Sequence, residues 1–220
     1  MRIGVDVGGT NTDAVLIRDR EILASVKLPT TADVSSGVRE AVSALMRDAG
    51  IEADSIRGVM IGTTHFTNAF IQGTELACVG VLRIGFPAAR GIPPLSGWPD
   101  RLWTQVRGDV AMVAGGFQFD GRPIAALDEA AVAAAARSFR QHGLSELAVT
   151  GVFSQLNADH ENRALAILQH ELPGARITLS NELGRVGLLE RENAAIMNAS
   201  LRPLAERVAQ AFGDALRDLG

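Results

Sequence analysis

The sequence predicts an α/β protein, and three observations carry that expectation. Short apolar runs of strand length alternate with stretches whose apolar residues recur at helical spacing. The first three runs follow one another through tight breaks, as the strands of a meander do. No internal repeat or low-complexity linker divides the 220 residues.

In chain order, Arg2 to Val7, Ala14 to Arg18 and Glu21 to Leu28 read as the three strands. Val34, Val38, Ala41, Val42, Leu45 and Ala49 then mark a helix, with Asp33 expected as its N-cap and Gly50 at its end. Ile56 to Ile61 reads as a buried strand running into Gly62 to Ala69, where a helix begins. Leu76 to Leu82 is the next strand, with Cys78 expected inside it. Gly91 to Trp103 holds three prolines, two glycines and both tryptophans, and reads as a loop with its own hydrophobic anchors, either a packed surface lid or part of a substrate mouth. The Asp-Gly pair of Phe117 to Arg122 marks a tight hairpin.

A helix follows Asp128, with Val132, Ala135, Ala136 and Phe139 on one face. Leu147 to Val152 is a strand, and Asn157 or Asp159 caps a helix bearing Leu165, Leu168 and Leu172. Pro173-Gly174 stops that helix. A short strand near Ile177 to Leu179 precedes two further helices. One covers Leu188 to Asn198, and one starts near Pro203 and carries Leu204, Val208, Ala211, Phe212, Ala215 and Leu219.

Charge and cysteine content narrow the function classes. The net charge is −4, so no basic field draws nucleic acid. Lys27 is the sole lysine among 21 basic residues. One cysteine excludes an intrachain disulfide, and four histidines without metal-ligand spacing argue against a zinc site. The Ala-rich stretch at 130–136 is too short to span a bilayer, and the chain opens directly on a strand. These features predict a cytoplasmic protein without a membrane or nucleic-acid partner.

The densest chemical signal is Asp6-Val-Gly-Gly-Thr-Asn-Thr-Asp13, set between the first two strands. Adjacent glycines at a hairpin tip allow φ > 0 and leave backbone N–H groups uncovered. With the Thr10 and Thr12 hydroxyls and the Asn11 amide, Gly8 and Gly9 would form a donor set suited to phosphate oxygens. Asp6 could hold a hydrated Mg²⁺, directly or through water. An ordinary Gly-rich turn would need neither the carboxylate at each end nor the hydroxyls between. The motif therefore reads as a phosphate-binding hairpin, and it resembles that of actin-like ATPases.

A second constellation is Gly62-Thr-Thr-His-Phe-Thr-Asn68, where a strand enters a helix through small and hydroxylic residues. Helix-terminal N–H groups and the dipole favour an anion there. Thr63, Thr64, His65 and Asn68 are candidates for contact with substrate or phosphate; helix capping and packing are the alternative roles. Asn68 lies four residues beyond Thr64, on the same helical face. His160, between Asp159 and Glu161, reads as part of a surface helix start.

Four stretches resemble the hydantoinase/5-oxoprolinase family, in its N-terminal region: Asp6 to Asp13, Gly62 to Ala69, Val152 to Glu161, and Leu179 to Asn198 with the following Leu201-Arg-Pro-Leu204. The resemblance implies an α/β fold of the actin-like, ribonuclease H-like kind. That fold is a half-domain with a mixed sheet, a three-strand N-terminal meander and flanking helices. It implies an N-terminal-type α/β domain over 1–180, then a helical segment over 181–220 leading toward a second half. It also implies ATP-dependent hydrolysis of a cyclic amide, with Asp6 and Asp13 as catalytic carboxylates, Asp6 at the metal, and ATP, Mg²⁺ and K⁺ as cofactors. Its partners would be a small cyclic amide, the remainder of the polypeptide and a second type of subunit.

Three departures stand out. Asn11 occupies a position that is aromatic in most members, and Arg83-Ile-Gly-Phe-Pro-Ala-Ala-Arg90 replaces the family's usual segment after Leu82. The second Gly-Gly-Thr hairpin is not found in these residues, so the chain is expected to be a fragment that is inactive by itself. An actin-like sugar or acyl kinase, or a non-catalytic nucleotide-binding or assembly module, would share the hairpin.

Overall fold

A computed structural model describes residues 1–31 and 34–217. The chain divides into two compact units: Met1–Gln72 together with the stretch from Leu204, and Gly73–Pro203. The domain boundary expected at 180 coincides with neither division. The first falls after the helix that follows the Gly62 segment, the second inside the last helix.

The first unit is built on a four-stranded mixed sheet, order β3-β2-β1-β4. Strands β1 (Arg2–Val7), β2 (Asn11–Arg18) and β3 (Glu21–Pro29) form the antiparallel meander, and β4 (Val59–Thr63) pairs parallel to β1. Alternation along β1 and β2 turns Ile3, Val5, Val7, Ala14 and Leu16 toward one face. Helix α1 (Val34–Ala49) covers that face with Val38, Ala41, Val42 and Leu45, all at 0–1% exposure. Burial of each valine, leucine or isoleucine side chain contributes about 1.5–3 kcal/mol, so this interface fixes which face of the sheet is core. The expected cap Asp33 lies outside the described residues, as does Leu219. Helix α2 (His65–Gln72) follows β4.

The second unit has a parallel sheet, order β6-β5-β7-β8. Its strands are β5 (Val79–Phe86), β6 (Arg107–Ala114), β7 (Glu146–Gly151) and β8 (Arg176–Leu179). The expectation had β5 beginning at Leu76 with Cys78 inside; the strand starts three residues later, and Cys78 is exposed ahead of it. β5 is flanked by a strand on each side and is buried along all but its last residue. Its continuous apolar run is what such a central strand requires, but that run does not reveal which sheet holds it. β6 went unread because α3 (Asp100–Val106) feeds directly into it, and its residues alternate only weakly in burial.

Helix α4 (Glu129–Gln141) is capped by Asp128, which accepts from the Ala131 N–H at 2.9 Å. Asn157 takes the N–H of Asp159, the first residue of α5 (Asp159–Glu171). The two C-terminal helices expected from the sequence are one, α6 (Leu188–Arg217), with Pro203 inside it. Proline removes the donor to the preceding turn and crowds the carbonyl four residues back, yet the helix continues past it. Among the described residues no helix is long and apolar enough to cross a membrane.

Candidate functional site

The Gly-Gly hairpin emerges where β1 and β4 end side by side, with Val7 paired to Thr63 and Asp6 to Gly62. Open α/β sheets commonly hold ligands beyond such carboxyl ends. The turn is closed by the Gly8 N–H, which donates to the Asn11 carbonyl at 2.9 Å. Contrary to the expectation, neither Gly8 nor Gly9 uses a left-handed φ. Gly8 is required by close approach: a β-carbon there would sit 3.2 Å from the Asn11 carbonyl oxygen. A β-carbon at Gly9 would meet nothing within 4 Å, so its exposed face is free for an incoming group. Among the described residues no protein group accepts from the N–H of Gly9 or Thr10.

Beside the turn is a cavity of about 150 Å³ lined by Gly8, Gly9, Thr63, Thr64, His65 and Asn68, together with Val7, Thr30 and Thr31. The two constellations, more than 50 residues apart in sequence, are thus brought to one place. Thr63 is engaged on both sides. Its hydroxyl donates to the Val7 carbonyl at 3.2 Å and accepts from the His65 N–H at 3.0 Å, tying β4 to β1 and capping α2. Thr64 is exposed, and its carbonyl accepts from the Asn68 N–H at 2.9 Å in the first turn of α2. His65 packs edge-on to Phe66, with ring centroids 6.4 Å apart.

The carboxylates stand elsewhere. Val5 and Val7 point into the core, so Asp6 between them faces away from α1. Asp13 is its cross-strand partner, and Lys27 is in turn the partner of Asp13. Lys27 Nζ lies 3.1 Å from Asp13 Oδ1 in an exposed pair. Neither aspartate lines the cavity. Gly62 completes the row; a β-carbon there would lie 3.6 Å from Asp6 Oδ1, so one flank of Asp6 is bare. Among the described residues no group of three or more histidine, cysteine, aspartate or glutamate side chains forms a metal cluster. One carboxylate with an open flank suits Mg²⁺, which keeps most of its waters and takes phosphate oxygens as further ligands.

Thr12 differs from expectation in direction. Its side chain is fully buried on the α1 face, 3.3 Å from the Thr30 hydroxyl, while Thr10 and Asn11 remain at the tip, joined by an Asn11 Nδ2–Thr10 Oγ1 bond of 3.2 Å. Thr30 and Thr31 were missed in the sequence. The available signal was a hydroxyl pair at the end of the strand that flanks the hairpin.

The other two resembling stretches meet in the second unit. Buried Glu161 accepts from the Gly151 N–H and the Ser180 hydroxyl, both at 2.7 Å, and from the Asn181 N–H at 3.0 Å. Arg191 donates to the Gly151 carbonyl at 2.7 Å and to the Gly187 carbonyl at 3.0 Å. Arg83, inside β5, pairs with Glu192 of α6 with both side chains fully buried. These groups pin the loops after β7 and β8. His160 is not at the surface: its Nδ1 accepts from the Gly116 N–H at 2.9 Å, and its ring stacks 4.3 Å from Phe117. Burial holds its imidazole below the usual range.

Residues 2–172 match the hydantoinase/oxoprolinase N-terminal region. Caprolactamase subunit alpha of Pseudomonas jessenii is 28% identical across the whole chain, which covers 34% of that protein. An uncharacterized protein of Methanocaldococcus jannaschii is 25% identical, again over all of this chain and 34% of its own length. Among solved structures, the ATP-dependent caprolactamase from P. jessenii aligns over the whole chain and 34% of its own, with a TM-score of 0.78 at 26% identity. Nucleotide-free acetone carboxylase aligns over the same shares with a TM-score of 0.77 at 17% identity, a likeness of fold. The chain spans about a third of the length of these relatives.

Proposed function

The chain belongs to the hydantoinase/oxoprolinase family, as an N-terminal region of actin-like ATPase fold, and on that premise we propose that it is the phosphate-holding part of an ATP-dependent cyclic-amide hydrolase. The observation that carries the reading is the Gly9 and Thr10 N–H pair, free of protein acceptors, beside a cavity lined by hydroxyl and amide side chains. The similarity to a caprolactamase alpha subunit supports a lactam, or the related hydantoin, as the substrate class.

The chemistry follows from the poor electrophilicity of an amide carbonyl. The carbonyl oxygen attacks the γ-phosphorus of ATP, the bond to the bridging oxygen breaks, and ADP departs. Water adds to the activated carbon, and the ring C–N bond breaks with a proton going to nitrogen, which leaves an acyl phosphate. A second water then adds to its carbonyl carbon, and the carbon–oxygen bond to phosphate breaks last, giving the carboxylate and inorganic phosphate. The protein positions the phosphoryl group and stabilises its charge. The Gly9 and Thr10 N–H groups, with Asn11 at the tip, would donate to its oxygens, and Thr64, His65 and Asn68 would face the small group held beside them. Asp6 would hold Mg²⁺, which supplies charge neutralisation at the phosphate oxygens. Asp13, its neighbour in the ladder, would order water beside Asp6. The remaining two thirds of the relatives' length would supply the other wall of the nucleotide site, and a second subunit type would complete the assembly.

Phosphate release by the full-length protein, with and without ε-caprolactam, 2-pyrrolidone or hydantoin, tests this reading. Stimulation by at least one ring, with the ring-opened acid formed in equal amount, is expected. Equal release with every ring and with none, or a stable sugar phosphate as the product, would contradict it.

A further inference from the structure

Two of the polar contacts of Thr30 hold the Gly-Gly turn. Its Oγ1 donates to the Gly8 carbonyl at 2.9 Å, and its N–H donates to the Thr10 carbonyl at 2.9 Å. A hydroxyl has one proton. With that proton on Gly8, the 3.3 Å contact between the Thr12 and Thr30 hydroxyls must have Thr12 as donor. Thr12, fully buried, therefore orients Thr30, and Thr30 orients the turn.

A trans peptide is planar, and its N–H points opposite to its C=O. Holding the Gly8 carbonyl fixes the direction of the Gly9 N–H; holding the Thr10 carbonyl fixes that of Asn11. We propose that Thr30 is a positioning residue that aims the Gly9 N–H at a phosphate oxygen, while spending its own hydroxyl proton on the backbone. The inference rests on the phosphate reading of the hairpin. Donors aimed before the ligand arrives need no reorganisation when charge develops, so a small rotation of these planes weakens binding without unfolding the sheet.

The experiment is an NMR titration of the ¹⁵N-labelled chain with inorganic pyrophosphate in the presence of Mg²⁺, for wild type, Thr30→Ser, Thr30→Val and Thr12→Val. In the wild type the Gly9 amide signal is expected to move with pyrophosphate. Thr30→Val should displace that signal in the free protein and weaken binding roughly tenfold, as expected for loss of one aligned hydrogen bond. Thr30→Ser, which keeps the hydroxyl, should stay within about threefold of wild type, a rescue that a purely packing role for the methyl group would not give. Thr12→Val, with Thr30 in place, should weaken binding by a smaller factor; it carries the test if Thr30→Val does not fold. Wild-type binding with unchanged affinity in the valine variants would overturn the role of Thr30 and leave the phosphate reading standing. Wild-type amides that never respond to pyrophosphate would overturn both.

Discussion

Asp6 and Asp13 are register partners across the β1–β2 ladder, and only Asp13 has a cation at hand, Lys27 at 3.1 Å. Two carboxylates side by side on one face repel unless something neutralises them. The Lys27–Asp13 pair is exposed, and such a pair contributes little to stability. Asp6, flanked by bare Gly62, is the open member of the pair.

Asp6→Asn should therefore leave the fold intact and strike turnover. Loss of a metal-directed carboxylate is expected to lower lactam-dependent phosphate release by the full-length protein roughly 100-fold. Circular dichroism should show an unchanged fold; unchanged activity would remove Asp6 from the site.

Gly9→Val separates access from folding. A side chain at Gly9 meets nothing within 4 Å, and no left-handed φ is required there, so thermal stability should change by less than about 0.5 kcal/mol. The new side chain would occupy the space through which phosphate reaches the backbone N–H groups, and nucleotide binding should be lost. A Gly9→Val protein that binds nucleotide normally would place the phosphate elsewhere.

Thr63 and Thr64 should behave differently despite being neighbours. Thr63→Val removes the cap of α2 and the bond to Val7, at a cost of about 1 kcal/mol or more in chemical denaturation. Thr64→Ala, at an exposed position on the cavity rim, should leave the denaturation midpoint nearly unchanged while lowering activity. Equal loss of stability in both would make the segment a structural cap alone.

The first three strands were legible as elements because core contact with α1 imposes alternation on β1 and β2, and Gly8 and Gly9 interrupt it at the point where the chain turns. What could not be read was direction and long-range pairing. Thr12 looked like one more donor at the tip, but the period of two turns it inward. Arg83 and Glu192 lie 109 residues apart, and neither sequence neighbourhood signals that their charges are buried together. His160 was read from its charged neighbours Asp159 and Glu161, whereas its own environment is set by Gly116 and Phe117 from a distant loop. Pro203 looked like a helix start because proline favours that position, but it lies inside α6.

His160 also makes stability depend on pH. Its imidazole is depressed in the folded protein, chiefly by burial, so the unfolded chain binds the proton first on acidification. The contribution is complete above the unfolded value near 6.5 and is lost progressively as pH falls below it. Melting temperature should drop below about pH 6.5 in the wild type. His160→Asn, whose side-chain oxygen can take the Gly116 N–H without titrating, should show a weaker dependence in that window. Parallel curves for the two proteins would assign the acid sensitivity to other groups.

The central claim, that ATP activates the amide carbonyl, is tested most directly by isotope transfer in the full-length protein. A lactam that it opens is labelled with ¹⁸O at the carbonyl, and the released phosphate is analysed by mass spectrometry. Because the carbonyl oxygen becomes bonded to phosphorus and its bond to carbon breaks last, each ring opened should deliver one ¹⁸O to phosphate. Phosphate free of ¹⁸O, with the label retained in the ring-opened acid, would contradict the account.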